Sequence, residues 1–336
     1  MEGLCPSPAR ARGAPAPRDT MLRTLTIRIP AELAGLRLDV AVARLAPELS
    51  RARVQQLVDD GKVTVGGRAL RASARLRGGE EIAVEIPPPP PTEVAPQDLP
   101  LVVLHEDADL LVLDKAAGMV VHPARGTPDS TVVNALLFRL ARGDAAPARL
   151  GLVHRLDKDT SGCLVVARTD AALQALQAQW KGRSVEKVYL ALCHGALAAA
   201  GRLDTPYGRH PRDRTRYTGR LEAPRRAVTE WRVQERFGAR ACLVEVTLHT
   251  GRTHQIRVHL SEAGHPLLAD PVYGGARREA RLPAADPARR AAEVIGRQAL
   301  HAARLAFDHP RTGRRMTFTA PVPEDFERAL RVLREG

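Results

Sequence analysis

The sequence predicts an α+β protein in two parts. A small helix–helix–hairpin domain precedes a larger domain built on a largely antiparallel mixed sheet with flanking helices. Three observations carry this reading. Five consecutive prolines, Pro87 to Pro91, divide the 336-residue chain, and such a run is a stiff spacer that neither helix nor sheet absorbs. Upstream, the apolar spacing is first helical and then strand-like. Downstream, short apolar runs follow one another with too few intervening helices for a doubly wound parallel sheet.

Each element has a local reason. Residues 1–20 are rich in Pro, Ala and Arg and lack an apolar signal-peptide core, so a disordered tail is expected, with Met21 an alternative start. The first domain spans 22–86. Leu36, Leu38, Val40, Val42 and Leu45 open a first helix, and Ser50 stands as N-cap of a second, 51–60, which Gly61 ends. Residues 63–65 and 82–86 read as strands, with a Gly66-Gly67 turn after the first. The linker is 87–98. In the second domain, 99–325, strands are expected at 110–113, 163–167, 188–193, 227–234, 242–248 and 316–319. Helices are expected at 131–141, 170–181 and 253–263, capped by Thr131, Asp170 and Thr253. The Ala/Arg-rich stretch 276–296 reads as a peripheral helical or mobile insertion, and 326–336 as the end of a C-terminal helix.

Composition narrows the partner. Lys and Arg number 51 against 38 acidic residues, a formal charge of +13. A GC-rich genome explains Arg displacing Lys but not the surplus, so nucleic acid is expected ahead of an acidic membrane surface. No apolar run approaches the ~20 residues of a membrane span, and no membrane partner is expected. Cys5, Cys163, Cys193 and Cys242 show no paired spacing, which argues against a zinc site or a disulfide framework and fits a reducing cytoplasm. His254 and His259 lack a carboxylate at metal spacing, so no metal is expected.

Chemistry is expected at His154-Arg155-Leu156-Asp157-Lys158-Asp159-Thr160-Ser161-Gly162, where four charges and a histidine stand directly before the apolar run 163–167. Burying unpaired charge costs several kcal/mol. Folding alone therefore disfavours such crowding, whereas a polar loop on a rigid strand suits function. Three further stretches stand out: Glu186-Lys187-Val188-Tyr189-Leu190-Ala191-Leu192, Gly251-Arg252-Thr253-His254-Gln255-Ile256-Arg257-Val258-His259-Leu260, and the loop 207–217 with four Arg against one Asp. Ile256, Leu260 and Ala263 form one apolar helix face, with Arg257 at its edge. Taken by themselves, Tyr189 reads as a core tyrosine and Asp157 and Asp159 as turn caps.

With Leu113-Asp114-Lys115-Ala116-Ala117-Gly118-Met119-Val120-Val121-His122-Pro123 ahead of them, these stretches resemble, in order, the motifs of the RluA-type RNA pseudouridine synthases across roughly residues 35–325. A Pro often stands in that family where this chain has Ala116, which should loosen the turn without touching the chemistry. Val121-His122-Pro123, Asp270-Pro271-Val272-Tyr273-Gly274 and the N-terminal domain are similar to the RluD-like group, which modifies large-subunit (23S) ribosomal RNA. The first domain resembles the small RNA-binding module shared by a ribosomal small-subunit protein and tyrosyl-tRNA synthetases.

The resemblance implies an RNA pseudouridine synthase with Asp157, Tyr189 and Arg257 as its catalytic set. Asp157 would be the nucleophile, Tyr189 would pack on the uracil, and Arg257 would pair with Asp157. Tyr189 would serve as a base only if its pKa were lowered. Arg155 would prop the space left by the flipped base. His154, Arg252, His254, Arg209, Arg212 and Arg214, with Arg51 and Lys62 of the first domain, would contact RNA. Asp159 is left to turn geometry. No cofactor is expected for a redox-neutral isomerisation, and the protein is expected to act as a monomer on ribosomal RNA or the pre-ribosomal large subunit. Two rivals remain. A non-catalytic ribosome-assembly factor would use the same basic surface without needing Asp157. A glycosidase or base-excision enzyme would want a second acidic group and would release free uracil.

Overall fold

A computed structural model of the chain describes residues 23–46, 49, 51–86, 94–124, 126–141, 151–222 and 225–336. The chain divides into two compact units, Met1–Glu93 and Val94–Gly336. The expectations for residues 1–20, Met21, Ser50 and the proline run lie outside the described residues.

In the first unit β1 (Arg23–Arg28), β2 (Val63–Val65), β3 (Arg68–Ala69) and β4 (Glu81–Ile86) form one sheet in the order β1-β4-β2-β3. It packs with α1 (Leu38–Leu45) and α2 (Arg51–Asp59) around Leu38, Val42, Val54, Leu57, Ile82 and Val84. Strand β1 carries the right alternation in Leu25 and Ile27, but two apolar positions make a pattern too short to stand out.

The second unit holds a 10-stranded sheet. Its first half contains β5 (Val102–Glu106), β6 (Leu110–Lys115), helix α3 (Val132–Ala141), β7 (Gly151–Leu152) and β8 (Ser161–Ala167). Then come α4 (Asp170–Gly182), β9 (Glu186–His194), β10 (Ala200–Pro206), a separate small hairpin of β11 (Gly208–Arg209) and β12 (Tyr217–Thr218), β13 (Arg226–Phe237) and β14 (Ala241–Leu248). The chain closes with α5 (Gln255–Glu262), α6 (Gly275–Glu279), α7 (Pro287–Ile295), β15 (Leu300–Asp308), β16 (Arg315–Thr319) and α8 (Glu324–Glu335). The main order is β10-β13-β14-β9-β15-β8-β6-β5, with β16 on β15 and β7 on β8. The pairings are antiparallel except β15 against β8.

The strand that matters most for the site is β15, which lies between β8 and β9 and joins the two halves of the sheet. The sequence reading has no strand there. Its residues Leu-His-Ala-Ala-Arg-Leu-Ala-Phe-Asp alternate poorly, because a central strand buried on both faces loses the in/out signature. Register places Ala302 opposite Gly162, where φ is 111°, and a Cβ on Gly162 would collide with the Ala302 carbonyl. Only glycine lets the two strands approach there.

Two local expectations are corrected, and a third is decided between its alternatives. Helix α4 is capped by Thr169, whose hydroxyl accepts from the Ala172 amide at 3.1 Å; Asp170 is its first residue. Helix α5 is capped by His254 in the left-handed region, φ 58°, without a side-chain cap bond, rather than by Thr253. Gln255 replaces the cap, its Oε1 accepting from the Arg252 amide at 3.0 Å and the Thr250 hydroxyl at 2.7 Å. Finally, of the two readings of 276–296 the helical one holds, in α6 and α7, and the mobile one does not. Ala288, Ala291, Ala292 and Ile295 of α7 pack against Phe326, Ala329, Leu330 and Leu333 of α8, so its alanines are a close-packing surface. No helix among the described residues is long and apolar enough to cross a membrane.

Candidate active site

The loop before β8 is pinned through its backbone. The Thr160 amide donates to the Asp157 carbonyl at 3.1 Å, closing a tight turn. The Lys158 carbonyl accepts from the Gly118 amide at 3.0 Å and from Lys115 Nζ at 3.0 Å. Lys115 also donates to the carbonyls of Ala116 and Met119, at 2.7 and 2.9 Å. Arg297 donates to the Asp159 carbonyl at 3.0 Å while its fork holds Asp325 at 2.6 and 3.0 Å. Burial lowers the Lys115 pKa to about 8, with the Asp159 charge acting the other way.

The side chain of Asp157 meets Arg257, whose Nη1 donates to Oδ2 at 3.1 Å. The rest of that guanidinium faces Asp270, Nε to Oδ2 at 2.8 Å and Nη2 to Oδ1 at 3.0 Å. Asp270 is 0% exposed and Arg257 5%, whereas Asp157 is 16% exposed. Burial works against the charge of Arg257, but the hydrogen bonds and charge of Asp270, then of Asp157, outweigh it and raise the pKa further. Burial likewise opposes ionisation of Asp270, and Arg257 reverses the balance, so its pKa is lowered. The other oxygen of Asp157 faces His254, with Nε2 3.8 Å from Oδ1. Burial lowers the His254 pKa against the pull of Asp157, leaving a neutral imidazole. Its Nδ1 lies 2.9 Å from the Tyr273 hydroxyl, which also accepts from the Tyr217 amide at 3.0 Å.

A cleft of about 890 Å³ opens over this group, lined by His154, Arg155, Asp157, Tyr189, Arg252, His254 and Arg257. That volume suits a nucleotide-sized ligand. Tyr189, on β9, is 8% exposed. Burial, then the Asp157 charge, raises its pKa, so the phenol keeps its proton and presents a ring rather than a base. Arg155 is exposed at the rim. His154 is tied inward: its Nε2 accepts from the Val165 amide at 3.2 Å and its ring stacks on Trp180 at 5.0 Å. Burial, then Lys187, lowers its pKa to about 3, so it stands as a neutral wall and not as a cation for phosphate.

Of the second unit's sequence-predicted residues, Arg209, Arg212 and Arg214 do not line this cleft. Arg209, Arg212 and Arg214 lie on the β11–β12 hairpin, where Arg209 donates to the Arg214 carbonyl at 2.7 Å and lies 5.4 Å over the Tyr217 ring. In the first unit Arg51 pairs with Asp39 at 2.9 Å and Lys62 with Glu85 at 2.9 Å. Sequence reasoning gives no role to Asp270, Lys115 or Arg297; their signals were the Asp270-Pro271-Val272-Tyr273 turn and a lysine ending an apolar strand. Among the described residues Asp107, Asp109 and His309 stand close enough to hold a metal ion. Their charges are already used. Arg311 holds both oxygens of Asp109 at 2.6 Å, and Asp107 accepts from the Asp109 and Leu110 amides at 2.8 and 2.9 Å.

Residues 109–262 match the model of the RNA pseudouridylate synthase family, and residues 36–82 match the S4 domain. A ribosomal large subunit pseudouridine synthase D of Xanthomonas campestris is 48% identical over 321 residues, covering 95% of each chain. Its Pseudomonas aeruginosa counterpart is 44% identical over 309 residues, covering 91% of this chain and 95% of its own. The chain belongs to the RNA pseudouridylate synthase family. The solved structure of human RNA pseudouridylate synthase domain containing 4 is similar to this synthase with a TM-score of 0.53 at 27% identity, over 69% of this chain and 93% of that one. The synthase is thus an isomerase acting on RNA, in an α+β fold behind an N-terminal S4 domain.

Proposed function

We propose that this synthase isomerises specific uridines of large-subunit ribosomal RNA, with Asp157 as the nucleophile. One observation carries the assignment: an accessible carboxylate at the floor of a nucleotide-sized cleft is held at one oxygen by a buried arginine, beside a buried tyrosine ring. The reaction breaks the bond from ribose C1′ to uracil N1 and forms one from C1′ to C5. The C5 hydrogen is lost as a proton and N1 regains one, so no oxidant, reductant or cofactor is needed. A carboxylate suits this, because it can take up an electron-poor centre and then leave.

Arg257 holds Asp157 by one hydrogen bond and aims it. Tyr189 offers its ring to the uracil. Arg155 at the rim props the stack after the base leaves it, since a flat cation stacks well on bases. Arg252, the β11–β12 hairpin arginines and the basic groups of the S4 domain hold the RNA backbone. The relatives' names support the ribosomal substrate, and buried free thiols at Cys163, Cys193 and Cys242 support a reducing cytoplasm. The test is pseudouridine formation in a large-subunit ribosomal RNA transcript. Asp157→Asn should abolish it with RNA affinity kept; an Asp157→Asn protein that still makes pseudouridine removes the assignment. If cells carrying that variant also assembled ribosomes normally, the essential role would be that of an assembly factor.

A further inference from the structure

We infer that Asp270 is a positioning residue for the reaction: it shares Arg257 with Asp157 so that the nucleophile keeps one oxygen free. This rests on the reading of Asp157 above. A guanidinium with a single carboxylate partner closes on it through two parallel bonds, covering both oxygens. Here Asp270 takes that paired geometry, at 2.8 and 3.0 Å, and leaves Asp157 one bond of 3.1 Å to Oδ2. Oδ1 of Asp157 is left with His254 at 3.8 Å, beyond hydrogen-bond reach.

Asp270 also sets that second flank. Its Oδ1 accepts from the amides of Val272 and Tyr273, both at 2.9 Å, and the Tyr273 hydroxyl meets His254 Nδ1 at 2.9 Å. Both neighbours of the nucleophile therefore trace to one buried carboxylate. The backbone around it is held in an uncommon shape. Ala269 is left-handed, φ 56°, with its amide fixed by Glu279 at 2.7 Å. A Cβ at Gly275 would run into the Leu267 carbonyl. Strain of this kind survives where the surroundings over-determine it, as at sites that must be pre-organised.

The test is Asp270→Asn, which keeps shape and removes charge. The readout is tritium release from RNA carrying uridine tritiated at C5, with KM and kcat separated. The expected result is a kcat lower by about 100-fold, the size of a misplaced reacting group, with KM for RNA unchanged. In an Arg257→Gln background the same substitution should cost nothing further, because the asparagine Oδ1 still accepts from the Val272 and Tyr273 amides and only the link to Arg257 is lost. If Asp270→Asn does not fold, Asp270→Glu keeps the charge but moves it by one methylene, and the same loss of kcat is expected. A folded variant with the kcat of the parent, or additive losses in the double variant, overturns the inference. Asp157→Asn run in parallel separates the two readings. Activity there removes the nucleophile, whereas an inactive Asp157→Asn beside a fully active Asp270→Asn removes only Asp270.

Discussion

Lys115→Met tests whether the loop 154–162 is held by a buried ammonium. Lys115 is 2% exposed, and its Nζ donates to the carbonyls of Ala116, Met119 and Lys158. Methionine has similar length and no donor. The Lys158 carbonyl keeps the Gly118 amide, whereas those of Ala116 and Met119 lose the partner found here. Two stranded carbonyls cost about 2–6 kcal/mol together. Removing the buried charge offsets part of this: a fall from 10.5 to about 8 corresponds to about 3 kcal/mol. The expected net loss is thus no more than about 3 kcal/mol at neutral pH. Because the lysine is depressed, the unfolded chain holds more protons between pH 8 and 10.5, so its contribution to stability rises with pH across that window. The gap between parent and variant should therefore widen by about 3 kcal/mol from pH 7 to pH 10.5. Urea denaturation at the two pH values reads this directly. With Asp157 as the proposed nucleophile, activity should fall about 10- to 100-fold at neutral pH, because Lys158 adjoins it and small displacements of a reacting group are costly. A variant with unchanged kcat, or a stability gap that narrows as pH rises, would refute the reasoning.

Other perturbations probe separate parts of the molecule. Gly162→Ala should destabilise the second unit by about 2–6 kcal/mol, from the positive φ and the collision with Ala302, as read by denaturant midpoint. Asp39, 0% exposed, accepts from Arg37, Arg51 and Gln55. Asp39→Asn should cost the S4 domain about 1–3 kcal/mol at neutral pH by hydrogen exchange. Burial opposes its ionisation but those partners prevail and lower its pKa, so the cost should fade as pH drops below 3.8 and the parent loses the same charge. The double substitution Arg212→Gln, Arg214→Gln should flatten the salt dependence of RNA affinity by about 0.7 in log–log slope for each phosphate no longer neutralised. An unchanged slope would place the hairpin away from the RNA.

The motifs were readable because they are local. His154 to Gly162 announce a loop by their charge, and Tyr189 and Arg257 stand in short contiguous motifs that match a family's in order. The misreadings share a cause, which is that the partner is distant in sequence. Strand β15 is recognisable as a strand only through β8 and β9. The 276–296 stretch looks peripheral until α8 supplies the surface its alanines pack on. His154 likewise takes its setting from distant residues: Trp180 and the Val165 amide hold it as a neutral part of the cleft wall.

The two-part α+β organisation, the basic surplus and the charge-crowded loop 154–162 are all written in neighbouring residues, and the chain's sequence is enough to specify them. Which oxygen of Asp157 stays free is settled in three dimensions. Asp157, Arg257 and Asp270 come from three different segments, and the division of one guanidinium between two carboxylates depends on how those segments pack. No local pattern encodes that division, because the energy of a buried ion pair depends on its geometry and on the exclusion of water.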